Sequence, residues 1–88
     1  MNEKGFRQQL RADGYAEGSI VEWAPNTFND RHTHEFSAAV LVLEGEITVT
    51  TDQGATTCRA GDTFRLAAGT PHVEQIGPAG VKFLSGRK

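Results

Sequence analysis

His32-Thr33-His34-Glu35-Phe36-Ser37-Ala38-Ala39-Val40-Leu41-Val42-Leu43-Glu44-Gly45, answered by Gly61-Asp62-Thr63-Phe64-Arg65-Leu66-Ala67-Ala68-Gly69-Thr70-Pro71-His72, decides how this chain reads. Two histidines one residue apart on an extended strand project to the same side, because successive side chains alternate with period two. A third histidine returning after a Gly-Thr-Pro turn completes one face of a site. Neutral imidazole is the commonest protein ligand for first-row transition metals. All 3 histidines of the chain lie in these two segments. The spacing therefore predicts a metal site built from His32, His34 and His72.

Glu74, two residues after His72, projects to the same face of a regular strand, roughly 6–7 Å along. It is the candidate fourth ligand, or the group that holds a metal-bound water, the alternative being a solvated charge near a strand end. Glu35 is expected to point away from the histidines into solvent, and Asp30 and Arg31 to lie in a loop before them. Such a donor set suits Zn, Fe, Ni, Cu, Mn or Co, and the cofactor expected is a divalent ion, Zn, Fe, Ni or Mn. Trp23, Phe28, Phe36, Phe64 and Phe83 are candidates to wall a cavity beside it, with Trp23, Phe36, Phe64 and Phe83 taken as its lining.

The two stretches also resemble the motifs of the cupin family. The first resembles the pattern H-x-H, three or four residues, a Glu or Gln, six residues, Gly; the second resembles G-x5-P-x-G-x2-H, with Gly61, Gly69 and His72 in register. Two positions depart from the patterns. Ala38 stands where the first motif carries its carboxylate ligand, and Ala67 where the second carries proline. The resemblance covers nearly half the chain and implies an all-β fold, a small antiparallel jelly-roll-like barrel. It implies a fold more than an activity, since cupins include oxygenases, isomerases, decarboxylases, storage proteins and sensing domains.

Composition agrees with that class. At 88 residues, with 38% hydrophobic residues and 10 glycines, the chain suits one strand-rich domain: residues 1–14 a helix packed on the barrel, 15–88 the barrel itself. Phe6 and Leu10 form the apolar stripe of a short helix over Asn2 to Asp13, ended by Gly14. Strands are expected at Ile20 to Trp23, Phe36 to Leu43, Glu46 to Thr51, Ala55 to Arg59, Thr63 to Leu66, Pro71 to Ile76 and Val81 to Leu84. Glu44-Gly45 reads as a tight turn and Asp52-Gln53-Gly54 as a hairpin loop. Ala38 to Leu43 is apolar on both faces, so Leu41 and Leu43 need cover from the helix or from a second subunit. A homodimer is the expectation that follows.

A net charge of -2 without a Lys/Arg cluster speaks against nucleic acid or an anionic membrane as partner, and Arg87-Lys88 reads as a solvated tail. The start lacks the apolar core of a signal peptide, and a single Cys58 reads as a buried hydrophobe, which together suggest a cytoplasmic protein. The functional expectation is a small stand-alone cupin. It would bind one divalent metal and a small organic ligand, either as a metal-dependent oxygenase or isomerase or, alternatively, as a non-catalytic binding or sensing module with a degenerate metal site. The sequence names no catalytic residue.

Overall fold

A computed structural model describes residues 1–16 and 18–88. The chain runs from helix α1 (Glu3–Ala12) through β1 (Ser19–Trp23), β2 (Phe28–His32), β3 (Ala38–Thr51), β4 (Gly54–Arg59) and β5 (Thr63–Leu66) to β6 (His72–Arg87). All pairings are antiparallel. Two long strands organise them. The first half of β3 lies between β5 and the end of β6, whose other edge carries β1. The second half of β3 lies between β4 and the start of β6, whose other edge carries β2. β3 and β6 thus pass from one four-stranded layer to the other, the arrangement of a jelly roll.

The crossing explains two misreadings of the sequence. Glu44-Gly45 is not a turn; β3 runs through it with register shifts between Val42 and Glu44 and between Gly45 and Ile47. Likewise β6 runs unbroken from His72 to Arg87 where two strands were expected. Each irregularity flips the parity of the inward face: Val40 and Val42 give way to Ile47 and Val49 on β3, and His72, Glu74 and Ile76 to Val81 and Phe83 on β6. A one-residue change of phase turns every following side chain to the other face. Gly45 and Gly80 sit at this crossing with φ of 75° and 78°. A Cβ on Gly45 would overlap the Gly80 carbonyl, so glycine is required for close approach as well as for backbone angle. A third correction concerns Asp30 and Arg31, which belong to β2 rather than to a loop.

Between the layers lies a core of Val40, Val42, Ile47, Val49, Cys58, Ile76, Val81 and Phe83. Cys58 is buried in it, and burial pushes its thiol pKa up, with the Asp62 charge adding to the effect. On the outer side of β3 and β6, Phe6 and Leu10 pack against Ala39, Leu41 and Leu84, with Leu43 and Tyr15 at the margin. Burying Phe6 and Leu10 stabilises by about 1.5–3 kcal/mol each. The helix is set by Asn2, whose side chain accepts from the Gly5 N–H at 2.8 Å, and by the Glu3–Arg7 ion pair at 3.1 Å. Arg65 ties its far end through Asp13 at 2.8 Å. The chain's own helix therefore supplies the cover for Leu41. Among the described residues, no helix is long and apolar enough to cross a membrane.

Candidate metal centre and adjoining cavity

His32 and His34 do not share a strand: β2 ends at His32, and His34 lies in the connection to β3. They still converge with His72, because His32 pairs directly with His72 across β2 and β6 and the chain then folds back. The backbone N–H of Gly69, in the turn before β6, donates to the His34 carbonyl at 2.8 Å and holds the two motif segments together. One ring nitrogen from each histidine lies within 4.8 Å of the others. Their ring centroids are 4.2 to 5.1 Å apart.

Backbone carbonyls settle the tautomers of two of them. Nδ1 of His32 lies 2.7 Å from the Asp30 carbonyl, and Nδ1 of His72 lies 2.9 Å from the Thr70 carbonyl. A carbonyl only accepts, so each Nδ1 carries a proton and, in the neutral ring, each Nε2 presents a lone pair. Asp30 thus acts on the site through its backbone, orienting His32, and the carboxylate accepts from the Arg31 N–H.

Glu74 is on the face expected for it. It is 6% exposed, with Oε1 3.3 Å from His32 Nε2 and Oε2 4.0 Å from His72 Nε2. Asn29, opposite Glu74 on β2, donates to Oε1 at 3.4 Å. Three imidazoles and a carboxylate therefore gather, with the Nε2 acceptors of His32 and His72 facing Glu74. Bare acceptors repel, and a cation between them relieves this. His72 supplies the sharpest test of fit: it is 1% exposed, and its Nε2 is a buried polar atom without a hydrogen-bond partner. Such an orphan costs about 1–3 kcal/mol unless something takes its lone pair. The donor set and this unpartnered nitrogen fit a divalent metal. His34 is held below the ordinary histidine pKa, by partial burial first and then by His72 and His32, with Arg87 adding and Glu74 opposing. The shift favours the neutral ring, the form that can ligate.

Beside the cluster opens a cavity of about 500 Å³. Trp23, Phe36, Phe64 and Phe83 all line it, as does Phe28, which is 56% exposed. Trp23 packs edge-on against Phe83 at 5.5 Å, and Phe36 stacks on His34 at 4.8 Å. Ala38 lines the same cavity, so the position without its carboxylate and Glu74 face one space. Glu35 is exposed. Among the lining residues that the sequence did not point to are the apolar Val21, Val40 and Leu66 and the polar Asn29, Ser85 and Arg87. Arg87 is exposed, as expected, but is no loose tail: it ends β6 opposite Ala38, with its guanidinium carbon 4.2 Å from the centre of the Phe36 ring. Its parity with Phe83 and Ser85 was the available signal.

Comparison with known proteins agrees with this architecture. The family described as "Cupin domain" matches residues 19–84. No curated protein matches. Among solved structures, a structural-genomics protein of unknown function from Rhizobium leguminosarum superposes with a TM-score of 0.76 at 20% identity, covering 81% of this chain and 67% of that one. An oxalate decarboxylase from Lactobacillus farciminis, solved as a formate complex, gives 0.71 at 25% identity, covering 81% and 22%. A putative ethanolamine utilization protein from Salmonella typhimurium gives 0.68 at 27% identity, covering 88% and 61%. The chain thus spans less than two thirds of the last two and only a small part of the decarboxylase.

Proposed function

We propose, from the premise that this chain belongs to the cupin family, that it binds one divalent metal through His32, His34 and His72, with Glu74 as the fourth ligand. The adjoining cavity would take a small organic molecule. The observation that carries this reading is His72 Nε2, buried, unpartnered and facing Glu74 and the other two histidines. Glu74 supports the position left empty of charge by Ala38: both line the cavity, and the carboxylate is already 3.3 Å from one imidazole.

A bound divalent ion would supply Lewis-acid polarisation of a ligand oxygen or an open site for oxygen, the chemistry of isomerases and oxygenases. The protein's own groups have narrower tasks. The Asp30 and Thr70 carbonyls fix the rings of His32 and His72 through their Nδ1 protons. Asn29 steadies the Glu74 carboxylate, which can also take a proton from a ligand held in the cavity. Trp23, Phe64 and Phe83 exclude water from the apolar part of a ligand. Ala38 favours a second reading, a binding module in which the metal or the cavity recognises a ligand without turning it over. Replacing Glu74 with Gln separates the two. In an enzyme it abolishes turnover of a ligand that still binds, whereas in a binding module it changes affinity alone.

The test of the metal reading is zinc binding to metal-stripped protein, followed by calorimetry and by thermal melting. One ion per chain and a raised melting temperature are expected, both lost in His34→Ala. Zinc uptake unchanged in His34→Ala would refute the ligand assignment.

A further inference from the structure

The cavity wall carries two kinds of polar group. His32, His34 and Glu74 line it, and so do Phe83, Ser85 and Arg87, which follow one another along one face of β6. The Phe36 ring lies between His34, on which it stacks at 4.8 Å, and Arg87, whose guanidinium carbon is 4.2 Å from its centre. A guanidinium held against an aromatic ring keeps its N–H donors for other partners. Arg7, Arg31, Arg59 and Arg65 each meet a carboxylate, at 2.8 to 3.3 Å, whereas, among the described residues, none comes within ion-pair distance of Arg11, on the helix, or of Arg87. The other charged groups lining the cavity are Asp30, hydrogen-bonded to the Arg31 backbone, and Glu74, among the histidines. Among the described residues, Arg87 is thus the one fixed positive charge on the cavity wall.

We propose that Arg87 is the anion-recognising group of this cavity and that its ligand is a small organic carboxylate with an apolar body. A planar fork of donors matches a carboxylate with two parallel hydrogen bonds. Phe36, Phe64 and Phe83 provide the surface for the body, where an apolar group gains by leaving water. A phosphate ester suits the site less, because its second charge would be desolvated in a cavity that already holds Glu74 and Asp30. The inference rests on reading the cavity as a ligand site and is independent of whether metal is bound.

Phenylacetate is a suitable probe, and the single tryptophan, Trp23, reports from the cavity wall. Titrations would follow Trp23 fluorescence in metal-stripped and zinc-loaded protein, with phenylacetamide and phenyl phosphate as comparison ligands. Metal-stripped wild type is expected to bind phenylacetate at least about tenfold more tightly than the neutral amide, the difference an ionic hydrogen bond makes. Arg87→Gln is expected to lose that preference while binding the amide as before, and Arg87→Lys to keep part of it. The retained amide binding shows that the cavity is still folded. The proposal is overturned if wild type binds no phenylacetate, if it prefers phenyl phosphate, or if Arg87→Gln keeps the preference for the acid. It is equally overturned if the acid binds only to zinc-loaded protein and is indifferent to Arg87→Gln, which would leave the metal as the anchor. Failure to take up zinc, with the Arg87 effect intact, would count against the metal reading and support this one.

Discussion

The two faces of β3 and β6 are put to opposite uses. Outward, Ala39, Leu41 and Leu84 meet Phe6 and Leu10 in a dry contact with no polar atom to satisfy. Inward, the same strands contribute a core that gives way to the buried His72 and to Glu74 and Arg87 on the cavity wall. The outer face contributes stability and asks for nothing further. The inner face keeps a buried nitrogen without a partner and a carboxylate among imidazoles, both of which cost stability unless a ligand compensates. A neighbour two residues along a strand can therefore be a packing residue or a site residue, according to which layer it faces.

That contrast breaks most readily on the outer face. Leu41→Lys places an unpaired charge against Phe6 and Leu10, and the protein is expected not to fold. The milder Leu10→Ala should cost about 2–5 kcal/mol in urea unfolding while leaving zinc affinity unchanged. A change in zinc affinity would mean that the two faces are coupled.

On the inner face the sign reverses. His72→Leu removes the orphaned nitrogen, so the metal-stripped variant is expected to melt no lower than wild type. Zinc, which at about a hundredfold excess over its dissociation constant adds about 2.7 kcal/mol to a protein that binds it, should no longer stabilise the variant. A marked loss of stability without metal would show His72 to be a packing residue like Leu41. Smaller again is Glu74→Gln, expected to weaken zinc binding by about 10–100-fold in calorimetry with the fold intact.

How much of this was legible follows the same division. The histidine convergence came from the spacing of two motifs and the Glu74 parity from period-two alternation, both local, although the same alternation wrongly put His32 and His34 on one strand. The count of strands did not come from local signals, since seven were expected and six are present. Gly45 and Gly80 look like turn glycines, but they let two continuous strands cross closely. Only the tertiary approach distinguishes the cases. Arg87 was missed for a related reason: at the end of a chain, a charge next to Lys88 reads as solvated, and nothing local shows Phe36 beneath it.

The smallest expected effect concerns the core between the faces. The buried Cys58 thiol has its pKa raised in the folded protein, so the fold favours the protonated form. That contribution is fully present below the unfolded thiol's ordinary pKa of about 8.5 and is lost as pH rises above it. Wild type should therefore lose slightly more urea resistance between neutral and alkaline pH than Cys58→Val. Parallel pH profiles for the two would show that the thiol contributes no such dependence.

The claim on which the inner face depends is that its polar cluster holds a metal. The direct measurement is elemental analysis of the protein after equilibration with Zn, Fe, Ni or Mn and gel filtration, alongside the His32→Ala, His34→Ala and His72→Ala variants. Close to one ion per chain is expected for at least one of these metals, falling to near zero in each variant. Wild-type protein that carries none of the four metals would contradict it.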